Sequence, residues 1–210
     1  MKKINIVGLG PGNIDYITKG GIDIIKKCEV AVGGARQLEE ISSLLLPTCE
    51  KYTLGKLSEL ISYINSHRDK NICVIVSGDT GFYSLLSFMR KNYSREELNV
   101  IPGISSYQYL FSRIGEVWQD YRLLSVHGRE TEYIEIFAGE KGIVLLTDGI
   151  NTPYAIAKNI YNAGYRDVEI VVGERLSYPN EKITFIDIKE YEKLNREFAI
   201  NIVIVRKLNI

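Results

Sequence analysis

Ile6-Val7-Gly8-Leu9-Gly10-Pro11-Gly12 joins a run of β-branched residues to three alternate glycines. The run reads as a buried strand, and the glycines let a backbone come unusually close to a neighbour because each lacks a Cβ. A strand ending in such a turn is the opening of an α/β fold. The turn invites a nucleotide-loop reading, which its spacing opposes. Dinucleotide folds use Gly-x-Gly-x-x-Gly, with an acidic residue ending the second strand. Here the spacing is Gly8-x-Gly10-x-Gly12, and Pro11 removes a backbone N–H where a pyrophosphate would seek one. The second strand, Val30-Ala31-Val32, runs into Gly33-Gly34, and no Gly-Lys-Ser/Thr follows the loop. A ligand without a phosphate is the expected neighbour.

Working outward, strands are expected at residues 3–8, 30–32, 71–77 and 99–101. Helices are expected between them at 14–27, 35–46, 57–68 and 80–91. Alternating strands and helices imply a mostly parallel sheet. Residues 115–120 have little periodicity and form the expected linker. Beyond it come strand 122–125, helix 130–137, strand 142–147 and helix 152–163. Three strands, 168–172, 182–188 and 199–206, then arrive without crossover helices and are expected to pair antiparallel. The reading is α/β with two lobes: residues 1–114 around a mostly parallel sheet and 115–210 around a mixed one, with the active-site cleft between them.

The chain has 210 residues, 45% hydrophobic and 25% charged, with 26 basic and 26 acidic side chains. A net charge of zero weighs against a nucleic-acid binder or a ligand of anionic membranes. No apolar run approaches the ~18–20 residues of a spanning helix, and Met1-Lys2-Lys3 leads straight into a strand, so a cytoplasmic protein is expected. Cys28, Cys49 and Cys73 form no Cys-x-x-Cys and read as buried or half-buried thiols. With His67 and His127 the only histidines, no protein-bound metal is expected.

Three glycine-bearing loops fall at the carboxyl ends of expected strands, where open α/β sheets bind ligands. They are residues 8–12, Ser77-Gly78-Asp79-Thr80-Gly81-Phe82-Tyr83, and Ile101-Pro102-Gly103-Ile104-Ser105-Ser106. Each alone could be an ordinary strand-to-helix turn with a capping Asp or Ser. Together they make a shared site the better reading. Loop N–H groups and hydroxyls can bind a carboxylate, and Asp79 can meet an ammonium or a ribose hydroxyl. Those groups suit S-adenosylmethionine, and equally another nucleoside ligand without phosphates.

VGLGPG, SGDTGFYS and VIPGISS, in this order and at these distances, resemble the tetrapyrrole methylases, S-adenosylmethionine-dependent enzymes of corrinoid and sirohaem synthesis. Further stretches are similar to the branch that methylates precorrin-7 or cobalt-precorrin-7 at C5. They are Val32-Gly33-Gly34-Ala35-Arg36-Gln37-Leu38, Trp118-Gln119-Asp120, Ser125-Val126-His127-Gly128-Arg129, Leu146-Thr147-Asp148-Gly149-Ile150-Asn151-Thr152-Pro153, and Gly173-Glu174-Arg175-Leu176-Ser177-Tyr178-Pro179. The resemblance spans essentially the whole chain. It departs from the family at Thr80, commonly Pro, and at Ser84, commonly Gly or Ala. The branch often has His where this chain has Gln37.

The resemblance implies a homodimeric C-methyltransferase of cobalamin synthesis with S-adenosylmethionine folded between two lobes and S-adenosylhomocysteine as product. Some relatives are fused to a C15-methyltransferase that also decarboxylates a side chain; here that unit is expected as a separate enzyme. Cofactor contacts are expected at Gly78, Asp79, Thr80, Tyr83, Ser105 and Ser106, with Thr147, Arg175 and Leu176 from the second lobe. The tetrapyrrole is expected against Gly8, Gly10, Pro11 and Gly12, its carboxylates on Arg36 and Arg129, since an arginine fork pairs with carboxylates. His127 is the candidate acid–base residue, with a structural role as its alternative. Other acceptors within this architecture are another corrin position, uroporphyrinogen or the modified histidine of diphthamide synthesis. A non-catalytic adenosine-ligand or tetrapyrrole carrier is the alternative from another class.

Overall fold

Residues Ile4–Gly8 form β1, buried along almost its whole length. The computed structural model describes residues 2–128 and 131–208, and these divide into two compact units, Met1–Ser106 and Tyr107–Ile210. In the first unit α1 (Lys19–Ile25), β2 (Val30–Gly33), α2 (Ala35–Glu40), β3 (Glu50–Thr53), α3 (Leu57–Ser66), β4 (Ile72–Val76), α4 (Leu86–Asn92) and β5 (Leu98–Ile101) follow β1. The strands form one sheet in the order β3-β2-β4-β1-β5, every pair parallel.

Strand periodicity sorts the core into two layers. Val7, Ala31, Cys73 and Ile75 pack with Ile25 of α1 and Leu38 of α2. Ile6, Val32 and Val74 face the other way, onto Leu60 and Ile64 of α3 and Met89 of α4. The chain after β1 therefore leaves to one face of the sheet and the chain after its neighbour β4 to the other. That is the topological switch point at which α/β sheets open a crevice beyond their carboxyl ends.

Some expected helices are shorter. Residues 14–27 break into a 3-10 turn, Ile14–Tyr16, and α1, because Thr18 caps α1 by accepting from the Gly21 N–H at 3.2 Å. Residues 80–85, expected as helix, form turns ahead of α4. The Asp79 carboxylate takes the Gly81 N–H at 2.7 Å and Tyr83 sits at φ +47°, which an α-helix excludes. β3 was not expected. Cys28 and Cys73 are buried and Cys49 half-buried, all as free thiols.

The second unit contains α5 (Ser106–Ile114) from its second residue onward, β6 (Tyr121–Ser125), α6 (Tyr133–Gly139), β7 (Gly142–Leu146), α7 (Pro153–Asn162), β8 (Val168–Glu174), β9 (Lys182–Asp187) and β10 (Asn201–Lys207). Its sheet runs β6-β7-β10-β8-β9. β6 and β7 are parallel, while β10 is antiparallel to β7 and β8, and β9 to β8, as the missing crossovers imply. Leu124, Ile143, Ile170 and Val203 meet Phe137 of α6 and Ile156 and Ile160 of α7 on one face. Leu110 of α5 lies against Gly173 and Phe111 stacks edge-on with Tyr121, 4.8 Å between centroids. Those contacts put α5 with the second unit, so the division falls after Ser106, ahead of the 115–120 linker.

Candidate active site

The three glycine loops of the first unit do converge, and they do so backbone to backbone. The Gly10 N–H donates to the Gly78 carbonyl at 3.1 Å, and the Gly78 N–H returns a bond to the Gly10 carbonyl at 2.8 Å. A Cβ on Gly8 would lie 2.7 Å from both Gly103 N and Gly78 O. One on Gly103 would overlap the Gly78 carbonyl and lie 2.8 Å from that of Gly8. The close approach permitted by Gly8 and Gly103 is thus an approach of loop to loop.

Gly78 differs. It has φ +66°, and a Cβ there would meet only the Ser105 Cα, at 3.7 Å. Space beside its Cα is open, so a ligand can lie directly on this backbone. Asp79 braces the same place: Oδ2 accepts from Gly81 N–H at 2.7 Å and Oδ1 from Gly103 N–H at 3.2 Å. Each oxygen keeps a further lone pair for an ammonium or hydroxyl donor. Thr80 and Ser105 are buried beside it, Ser106 is half-buried, and Tyr83 is 46% exposed. Gly10 and Gly12 take positive φ at +80° and +149°.

Arg36, in the first turn of α2, reaches the same edge. Its Nη2 donates to Ser77 Oγ at 3.0 Å and its Nη1 to Glu40 at 2.8 Å. Gln37 Nε2 donates to Ser77 Oγ at 2.8 Å. Ser77 carries no mark in the sequence, since a strand-ending serine has no distinguishing pattern.

In the second unit, His127, Thr147 and Arg175 follow the ends of β6, β7 and β8 at one edge of the sheet, beside the start of β10. His127 is exposed, and its Nδ1 lies 2.9 Å from the Thr147 carbonyl. A carbonyl can only accept, so Nδ1 carries the proton and Nε2 presents a lone pair in the neutral ring. Thr147 Oγ1 donates toward Asn201, with O and Oδ1 at 2.9 and 2.8 Å. Leu176 is buried against Gly173, leaving its backbone as the part available to a ligand. Arg175 is exposed at φ +45°. Arg129 lies outside the described residues.

Asp148, quoted in the motif but given no role, organises this edge. Its carboxylate accepts from Gly128 N–H at 2.9 Å, Asn151 N–H at 2.6 Å and Ile150 N–H at 2.9 Å. The backbone bonds from Gly128 and Asn151 lead in holding its pKa down at about 2, against a smaller rise from burial. Among the described residues, the non-glycines at positive φ are Tyr83, Arg175 and Ser177. Such strain concentrates at ligand sites, and all three lie in loops singled out by motif. Among the described residues no group of three or more His, Cys, Asp or Glu is placed to hold a metal ion, and no helix is long and apolar enough to cross a membrane.

Comparison with known proteins gives the family. A cobalt-precorrin-7 C(5)-methyltransferase of Salmonella typhimurium is 30% identical over 203 residues, 96% of this chain and 98% of that protein. A probable cobalt-precorrin-7 C(5)-methyltransferase of Methanocaldococcus jannaschii is 32% identical over 194 residues, 89% and 90% of the two chains. A uroporphyrin-III C-methyl transferase from Thermus thermophilus, solved with S-adenyl homocysteine, has the same fold. Its TM-score is 0.78 at 21% identity, over 97% of this chain and 92% of that one. The sequence profile of the tetrapyrrole (corrin/porphyrin) methylases matches residues 3–192. With its glycine loops assembled at the switch point of a parallel sheet, the chain belongs to this family of S-adenosylmethionine-dependent methylases.

Proposed function

We propose that the protein methylates C5 of cobalt-precorrin-7, or of its metal-free counterpart precorrin-7, in cobalamin biosynthesis. The observation that carries this reading is similarity along 96% of the chain to a protein named for that step. The relatives are matched over 98% and 90% of their own lengths and are named for C5 alone. Methylation and decarboxylation at C15 then fall to a separate enzyme. A homodimer working in the cytoplasm completes the proposal.

The residues of the first unit suit S-adenosylmethionine. Gly78 offers open backbone, Asp79 keeps lone pairs for the ammonium or ribose hydroxyls, and Thr80, Tyr83, Ser105 and Ser106 surround them. Thr147, Arg175 and the backbone of Leu176 are the contacts we assign in the second unit. When bound, the sulfonium supplies a methyl group that is already an activated electrophile. The chain therefore has to align and exclude water more than activate. Holding a ring carbon in line with the methyl supplies several kcal/mol, roughly 7–11 in ideal cases. Gly10, Pro11 and Gly12 form the backbone wall for the macrocycle, with Gly8 behind them fastening the loops; Arg36 and Arg129 take carboxylates. His127, with Nε2 free to accept, is our candidate to receive a proton from the macrocycle.

Calorimetric titration with S-adenosylmethionine and S-adenosylhomocysteine is expected to give one site per chain, and no binding of either would refute the cofactor assignment. Incubation with labelled methyl donor and cobalt-precorrin-7, followed by NMR of the product, should place the label at C5. Label at another carbon would reject the C5 assignment and keep the family.

A further inference from the structure

Ser77 follows β4 directly and is exposed at the carboxyl edge of the first sheet, one residue before Gly78. Its Oγ accepts from Arg36 Nη2 at 3.0 Å and from Gln37 Nε2 at 2.8 Å. A hydroxyl has two lone pairs and one proton. With both lone pairs engaged the O–H can only donate, and among the described residues nothing accepts from it.

The two groups behind Ser77 are themselves held. Arg36 is anchored through Nη1 to Glu40, whose side chain is 13% exposed, and Gln37 sits in the same helical turn. A cation and an amide donating to one oxygen polarise its O–H, since linked hydrogen bonds strengthen one another. Such a donor is matched best by an anionic oxygen, because charge-assisted bonds are shorter and roughly twice as strong as neutral ones. Glu40 offsets the Arg36 charge on the far side, so the directed O–H sets where the anion sits. It lies next to the open space at Gly78, on the edge where the loops converge.

We propose that Ser77, backed by Arg36 and Gln37, seats one peripheral carboxylate of the macrocycle; this rests on the methyl-transfer reading above. Ser77 is a positioning residue: it donates a hydrogen bond and transfers no proton. Gln37 matters through its N–H donation, which occupies the second lone pair and turns the hydroxyl outward.

The test compares wild type, Ser77→Ala, Ser77→Cys and Ser77→Thr. Each is assayed for methyl transfer to cobalt-precorrin-7 and titrated calorimetrically with S-adenosylhomocysteine. Losing a hydrogen bond to a charged group should raise KM for the corrin precursor about tenfold in Ser77→Ala. Ser77→Cys, close in shape and a weak donor, should follow it, while Ser77→Thr keeps the wild-type KM. Throughout, kcat and S-adenosylhomocysteine affinity should stay within about twofold, well inside the KM effect. Unchanged KM in both Ala and Cys variants overturns the proposal alone. So does a fall in kcat or in S-adenosylhomocysteine affinity without a rise in KM, which would confine Ser77 to shaping the cofactor loop. A wild-type protein that binds S-adenosylhomocysteine but does not methylate cobalt-precorrin-7 overturns the function, and the carboxylate seat with it.

Discussion

The candidate loops of the two units are held by different physics. In the first, the main fastening is backbone to backbone, with the Asp79 carboxylate an added brace between Gly81 and Gly103: the Gly10–Gly78 pair exchanges two hydrogen bonds, and Gly8 and Gly103 leave no room for a side chain. In the second, ionised side chains hold the loops, Asp148 gathering three N–H groups and Glu174 pairing with Arg196 below the Arg175 turn. Steric fastening is indifferent to pH and salt and intolerant of a methyl group. Charge fastening has the opposite sensitivities.

The largest expected effect is therefore Gly103→Ala. Its Cβ would overlap main-chain atoms on two loops, which cannot rotate away as a side chain would. A loss of about 3 kcal/mol is expected, a fall in melting temperature of roughly 6–12 °C, with S-adenosylhomocysteine binding abolished. Gly78→Ala sharpens the point. It meets no backbone clash, only the strain of φ +66°, and should cost about 1 kcal/mol while still weakening cofactor binding by filling the open space. Equal melting temperatures for the two variants would break the loop-packing account.

Next comes Arg196→Ala. Glu174 is 7% exposed and pairs with Arg196 through both carboxylate oxygens. Removing the cation strands a buried charge, though Arg196 itself remains partly in water. About 2 kcal/mol is expected, read by thermal melting, with most of it regained in Glu174→Gln/Arg196→Met. No regain would show that the charge was never the problem.

Asp148→Asn is smaller, about 1 kcal/mol after screening by solvent. The Asp148 pKa is depressed on folding, so its contribution is fully present above the ordinary 3.8 and is lost as the pH falls toward about 2. Melting curves between those limits should converge for wild type and Asp148→Asn, and parallel curves would exclude the mechanism. The smallest effect has the opposite sign. Arg175→Gly relieves φ +45° and should stabilise by about 0.5 kcal/mol, measurable by urea titration; a loss of stability would mean the Arg175 side chain braces its own loop.

Much of this was legible beforehand because buried strands advertise themselves. Ile72–Val76 is apolar at every position and buried at every position, and nothing but a doubly covered strand needs such a run. Glu50–Thr53 carries no such mark: it is an edge strand, mostly exposed, and its Glu-Lys-Tyr-Thr composition serves water as much as the sheet. Helix 80–91 was overextended for a related reason. Periodicity registers apolar spacing and is blind to a carboxylate that turns back onto Gly81. The loops were found from their glycines, yet a missing Cβ does not name what fills its space. Gly8 was read as facing the macrocycle and in fact faces Gly103. Ser77 and Asp148 escaped because their roles depend on partners 40 and 20 residues away.

The reciprocal pair between Gly10 and Gly78 also constrains how this region can diverge. Those bonds are spaced from β1 and β4 by Leu9 and Ser77 alone, and Leu9 N–H is itself tied to the Val76 carbonyl at 2.9 Å. One residue inserted on either side would push Gly10 or Gly78 out of register and move the Asp79 carboxylate away from Gly103. Exchanging side chains at fixed loop length leaves these bonds in place, so engineering toward a different macrocycle has to begin from that restriction.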